Sequence, residues 1–285
     1  MERTGLVLQG GGTRIVFSAG VVDVMMENNI YLPYVIGTSA GAMVAVTYAS
    51  KNPGTSIEMI LKYIDDSRYI SLSNFRRYGS VFNFKFFINE LISRPEMNFN
   101  KQEFNSEKTR MIAVATDCFT GEATYFEKGK CQNIFDGVTA SASLPLASKP
   151  YQIGDGYYLD GGLSDPVPFQ KALNDGNDKV IIIATRDYHF RKKTKAKHRG
   201  FLKLMYSNYP KAYKACLNDG KTYNRVAEEI IDLEKAGKAL VIRPENPIEI
   251  SHAEKDVDKL KELYQIGRLT GEKYLKKIQE YINEK

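Results

Sequence analysis

Within its first fifty residues the chain twice runs from a short apolar stretch through a glycine-bounded turn into a helix-like segment. Leu6-Val7-Leu8-Gln9 enters Gly10-Gly11-Gly12, and nearly continuous apolar residues follow over 15–26. Tyr34-Val35-Ile36 then enters Gly37-Thr38-Ser39-Ala40-Gly41, and a small-residue helix over 40–49 stops at Asn52-Pro53-Gly54. Connections this short make the strands parallel, with helices packed on the faces of the sheet.

Later segments continue the α/β pattern. Residues 56–64 have helical spacing, 111–116 and 123–126 read as strands, and 135–141 as a helix. Tyr157-Tyr158-Leu159 is a short strand that delivers Asp160-Gly161-Gly162. Pro166-Val167-Pro168 then opens a helix reaching about Leu173. Residues 180–185 are apolar and β-branched, the mark of a strand buried on both faces. Helical material over 201–235, a last strand at 240–242 and a charged amphipathic helix over 256–282 complete the chain. No repeat, low-complexity tract or linker divides the 285 residues. The expectation is therefore one domain over 1–285, with its core at about 5–185. A helical cap is inserted at about 55–105, and a helical C-terminal part occupies about 200–285. Within the cap, Phe75, Tyr78, Phe82, Phe84, Phe86, Phe87 and Phe99 crowd together. They fill the cap's own core or line an acyl-chain pocket.

A composition of 43% hydrophobic and 26% charged residues is that of an ordinary globular chain, and no uninterrupted apolar run reaches membrane-spanning length. No leader pattern precedes the first strand. Cys118, Cys131 and Cys216 are odd in number and widely spaced, so they read as reduced packing thiols, with no metal expected. The expected location is cytoplasmic. The net charge of +6 and the basic 191–214 stretch allow peripheral contact with an anionic membrane surface, a solvated helical face being the plainer alternative.

Gly37-x-Ser39-x-Gly41 at a strand-to-helix turn has the layout of a nucleophile elbow, which lifts a serine hydroxyl above the sheet. An ester-cleaving serine needs donors for the developing oxyanion and a base. The amides of Gly10, Gly11 and Gly12 are candidate donors, and Arg14 either reinforces them or fixes the loop through carbonyls. The rival, a phosphate-cradling loop of a Rossmann-like nucleotide enzyme, lacks both the Lys-Ser/Thr pair and the last glycine of the dinucleotide fingerprint. For the base there are three histidines. His198 lies in the basic run and His252 in a polar segment. His189 follows the 180–185 strand, where open sheets place their sites. An α/β-hydrolase triad is disfavoured, because only one strand precedes the elbow. Asp160, at a strand end before two glycines, is a second candidate, with an ordinary Asx turn as the alternative.

Taken in order, Gly10-Gly11-Gly12-Thr13-Arg14, Gly37-Thr38-Ser39-Ala40-Gly41 and Asp160-Gly161-Gly162 resemble the signature blocks of the patatin-like phospholipases. Ser141-Ala142-Ser143-Leu144-Pro145-Leu146 resembles that family's segment ahead of the aspartate. The resemblance covers about 5–185. It implies a three-layer α/β/α fold with a mostly parallel sheet and a Ser-Asp dyad acting on lipid acyl esters, without histidine or cofactor. By that similarity Ser39 is the nucleophile, Asp160 the base, and Gly10, Gly11, Gly12 and Arg14 the oxyanion loop. Gly37 and Gly41 belong to the elbow, and Gly161 and Gly162 to the aspartate's motif. The chain departs from the pattern at Ile15, where the family has glycine. A lipid-binding or scaffolding protein of the same fold is the rival from another class. The implied partner is a lipid or acyl ester, and no nucleic acid is expected.

Overall fold

A computed structural model describes residues 3–195 and 197–284. Met1 and Glu2, the Ala196 position of the basic run and Lys285 fall outside them. The elements follow the order β1 (Thr4–Leu8), α1 (Ile15–Glu27), β2 (Tyr34–Thr38), α2 (Ala40–Ala49), α3 (Thr55–Tyr63), α4 (Leu72–Tyr78), α5 (Phe84–Ser93), α6 (Lys101–Asn105), β3 (Arg110–Asp117), β4 (Ala123–Glu127), α7 (Ile134–Ser141), β5 (Tyr151–Ile153), β6 (Gly156–Asp160), α8 (Phe169–Asn174), β7 (Lys179–Ile183), α9 (Arg199–Met205), α10 (Pro210–Lys235), β8 (Ala239–Ile242) and α11 (Val257–Asn283).

β3, β2, β1, β7 and β8 lie side by side and parallel. Alternate residues of these strands feed two cores, which is why the strands read as unbroken apolar runs. Leu6, Leu8 and Val35 pack with α1, α2, α7 and α11. Val7, Ile36 and Ile182 pack with Phe169, Ala172, Val226 and Ile230 of α8 and α10. This is the three-layer, mostly parallel α/β/α architecture implied by the sequence. The nearly continuous apolar character of α1 has the same origin. It is enclosed by its neighbours, and α11 is fixed to it by a Tyr264–Asp23 hydrogen bond (2.7 Å) and a two-pronged Arg268–Glu27 pair (2.7 Å each).

Parallel order ends at β3, and this placement builds the site. Along one edge of β3, β2 pairs with residues up to Val114, opposite Thr38. β2 then stops, and the antiparallel β6 takes over the same edge at Ala115, opposite Asp160. The other edge carries β4. The residue leaving β2, Ser39, and the last residue of β6, Asp160, are thereby neighbours in space although 121 positions apart in sequence.

Three local features differ from the sequence expectation. The helix expected from Pro166 begins at Phe169, with Pro168 as its cap. The helical stretch over 201–235 is broken between α9 and α10. Pro210, which has no N–H to give to a preceding turn, starts the second helix. β5, three residues long, carries too little pattern to be read and exists by pairing with β6.

Candidate active site

Ser39 occupies φ 57°, ψ −129°, a strained conformation for a residue with a side chain. The turn tolerates it because its neighbours are small. A Cβ on Gly10 would lie 2.7 Å from the Thr38 carbonyl oxygen and 2.8 Å from Ser39 Cβ. A Cβ on Gly37 would lie 2.4 Å from the Gly41 carbonyl oxygen, and one on Gly41 2.4 Å from the Leu8 carbonyl oxygen, so all three glycines are needed for strand, elbow and loop to approach. The Ser39 amide donates to Ser141 Oγ (2.8 Å), which ties the elbow to the end of α7.

Ser39 Oγ donates to Asp160 Oδ2 at 2.6 Å. Asp160 Oδ1 accepts from the Gly162 amide at 2.8 Å, so the Asx turn and the contact with serine coexist, one on each carboxylate oxygen. The Asp160 backbone is held by Ser143 O (2.8 Å) and by Thr116 Oγ1 (2.8 Å). Ser39 is 7% exposed and Asp160 is 4% exposed. Burial pushes the Asp160 carboxyl up to about 6, against the opposing pull of the hydrogen bonds from Ser39 and Gly162.

The glycine loop lies beside this pair. Thr185 Oγ1 donates to Gly10 O (2.8 Å), whereas the amides of Gly10, Gly11 and Gly12 have no acceptor among the described residues. They are donors left free beside a serine hydroxyl. Arg14, 4% exposed, donates through Nη1 to Ile250 O (3.0 Å). Of the two roles the sequence allowed it, this bond performs the fixing of the loop through a carbonyl. The same segment also takes the Thr13 amide at His252 O (3.1 Å) and Thr13 Oγ1 at Ser251 O (2.9 Å). Ile15 has ordinary helical torsions (φ −58°, ψ −19°), so the departure from glycine imposes no backbone strain, and its side chain lines a pocket.

Ser39 stands between two cavities. A narrow apolar one runs along α2 beneath the cap, lined by Ile15, Met43, Val44, Met59, Ile60, Tyr69, Phe82, Phe84, Phe87 and Leu91. Of the cap aromatics, Phe82, Phe84 and Phe87 pack against one another and Tyr69 and also face this pocket, whereas Tyr78 is 55% exposed. The wider cavity is polar, bordered by the glycine loop, Asp160, Arg186 and residues 192–195, 197 and 198. His189 is exposed and lines neither cavity, which removes the one histidine with a positional argument. His252, expected as a plain loop or helix-start residue, instead borders both cavities. Loss of water around the ring, then the Arg14, Lys192 and Arg186 cations, hold its imidazole below the usual histidine range. No pattern in the sequence pointed to it. Arg186 was within reach, since it follows β7 at its C-terminal end. Among the described residues no group of side chains suits a metal ion, and no helix is long and apolar enough to cross a membrane.

The sequence profile of the patatin-like phospholipases matches residues 6–173, which include the glycine loop, the elbow and Asp160. The chain belongs to the patatin-like phospholipase family. A second profile, a domain of unknown function (DUF6363), matches 209–283, the region of α10, β8 and α11. Outside the family core the likeness extends to the protein YjjU of Escherichia coli, 26% identical over 99% of this chain and 80% of that protein. The NTE family protein Rv2565 of Mycobacterium tuberculosis is 27% identical over 64% of this chain and 30% of its own length. Triacylglycerol lipase 4 of Saccharomyces cerevisiae is 29% identical over 66% of this chain and 24% of its own. The chain thus spans less than a third of these last two proteins. Among solved structures, VipD from Legionella pneumophila aligns at TM-score 0.48 and 15% identity over 97% of this chain and 67% of that one.

Proposed function

We propose that this family member is a serine acyl hydrolase of phospholipid or related lipid acyl esters, working through Ser39 and Asp160. The observation that carries this reading is the 2.6 Å hydrogen bond from Ser39 Oγ to a buried carboxylate, beside three unengaged glycine amides. The acyl chain enters the apolar cavity, which leaves the carbonyl over Ser39 and the alcohol portion in the polar cavity. Ser39 Oγ attacks the carbonyl carbon while Asp160 Oδ2 takes its proton. The oxyanion that forms accepts from the amides of the 10–12 loop. As the tetrahedral species collapses, the C–O bond to the alcohol breaks, and the alcohol leaves with the proton held by Asp160. Water then attacks the acyl-Ser39 ester, again giving a proton to Asp160, and its collapse releases the fatty acid and restores the serine. A carboxylate raised toward neutrality suits this double task better than an exposed one.

The basic 191–214 stretch is proposed to meet anionic lipid head groups. Arg191 and Lys192 are already engaged with Glu228 and Asp219, so the exposed part is α9 with its flanking cations. There Phe201 and Leu204 are 55% and 74% exposed.

A fluorophosphonate probe tests the hydrolase reading. The wild-type protein is expected to be labelled, and Ser39→Ala to lose the label. An intact, folded protein that is never labelled would favour the lipid-binding rival.

A further inference from the structure

Ser39, Leu144 and His252 border both cavities, and so mark where the two meet. With the acyl chain in the apolar cavity and the alcohol portion in the polar one, the bond that crosses this junction is the ester C–O bond itself. Ser39 supplies the nucleophile, and Leu144 offers apolar surface. His252 is therefore the one other side chain at the junction that can give a hydrogen bond to the reacting atoms.

The backbone builds its place there. His252 O accepts the Thr13 amide (3.1 Å), Ser251 O accepts Thr13 Oγ1 (2.9 Å), and the Glu254 amide donates to the same hydroxyl (3.2 Å). Gly12 makes the room. Its φ is +58°, and a Cβ on it would lie 2.3 Å from His252 O and 2.5 Å from His252 Nδ1. The imidazole thus lies against the last glycine of the donor loop, and neither ring nitrogen has a hydrogen-bond partner among the described residues. Loss of water, then the nearby cations, lower its pKa to about 4, so across the neutral range the uncharged ring keeps one N–H to give.

In the proposed reaction the carbonyl oxygen has the amides of Gly10, Gly11 and Gly12, and the serine proton has Asp160. The atom left without a standing donor is the alkyl oxygen, on which charge builds as the C–O bond breaks. We propose that His252 is a further catalytic residue, whose ring N–H donates a hydrogen bond to the ester's alkyl oxygen as the alcohol departs. No proton leaves the ring. The alcohol takes its proton from Asp160, and the imidazole ends the cycle in the form in which it began. The assignment rests on Ser39 being the attacking residue, with the acyl chain in the apolar cavity. It gives the region matched by the DUF6363 profile, in which His252 lies, a part in the chemistry.

A donor to the leaving oxygen matters most when that oxygen leaves poorly. Ethyl butanoate, whose alkoxide needs the help, and 4-nitrophenyl butanoate, whose phenolate does not, are compared through kcat/KM, which for a two-step acyl transfer reports acylation. His252→Ala is expected to lose about 10²-fold on the ethyl ester and about threefold or less on the nitrophenyl ester. His252→Gln, which keeps an N–H, is expected to recover part of the ethyl-ester loss. Both substitutions leave the backbone carbonyl that holds Thr13, and cooperative melting checks that each variant is folded. Equal losses on the two esters overturn the proposal, because a disturbed glycine loop slows both alike. An ethyl-ester rate unchanged in His252→Ala overturns it too. A wild type that cleaves neither ester contradicts the role of Ser39 and that of His252 with it, whereas an active wild type with equal losses contradicts the role of His252 alone.

Discussion

Asp160 links reactivity to stability. As the proposed base, Asp160 must be ionised to accept the serine proton, so kcat/KM is expected to rise with pH through a limb near 6 and to level off above it. The sign for stability is the opposite. The folded carboxyl holds its proton more tightly than the unfolded one, so stability is fullest below the model-compound value of 3.8 and is lost as pH rises through about 6. The ionised, buried group therefore weakens the neutral-pH fold by on the order of 3 kcal/mol. Asp160→Asn should lower ester hydrolysis about 10³-fold and raise Tm at pH 8 by roughly 2–5 °C, the gain vanishing near pH 4. Rates and calorimetry at the two pH values check both parts, and a mutant less stable than wild type at pH 8 would contradict the burial argument. The turns that carry Ser39, Asp160 and the glycines were legible at this scale, whereas the pairing of Asp160 with Ser39 came only from the family resemblance, the Asp-Gly-Gly turn alone reading as an ordinary Asx turn. His252 was not legible, since what brings it to both cavities is proximity in space.

Among the elements, the decisive one is β3, which exchanges β2 for β6 along a single edge. Each strand was readable from its apolar run, but the exchange was not, because edge pairing leaves no periodic trace in β3 itself. The cap was likewise readable as helical and aromatic. Its dual use, as its own core and as a pocket wall, depends on how α3 and α5 lie over α2. Ala40, Met43, Val44 and Thr47 border the apolar pocket, which therefore follows α2 for about 11 Å at 1.5 Å per residue. Val44→Phe places an aromatic ring partway along that path, at a packing cost of about 1–3 kcal/mol. The expected result is that kcat/KM for dodecanoyl esters falls roughly tenfold relative to butanoyl esters. An unchanged chain-length profile would remove the acyl chain from this pocket.

Across the whole molecule, the C-terminal region completes what the family core begins. Residues 250–254 hold the glycine loop through Arg14 and Thr13, and α11 covers α1. The matched family segment, 6–173, thus depends for the placement of its glycine loop on residues far beyond it. That dependence was illegible in sequence, because polar loop residues such as Ser251 and His252 have no pattern of their own. The exposed apolar residues and cations of α9 flank the polar cavity, with Leu202 lining it. Co-sedimentation with anionic vesicles is expected to weaken about tenfold between low and high salt, and to weaken further in Leu204→Glu. Salt-independent binding would speak against a surface contact of this kind.

The account's central claim is that Ser39, activated by Asp160, opens acyl esters. Turnover of a short-chain nitrophenyl ester by wild-type protein and by Ser39→Ala, prepared identically and shown to be folded, tests it most directly. The expected result is steady hydrolysis by the wild type and a loss of about 10⁴-fold in Ser39→Ala. Equal rates for the two proteins would contradict it.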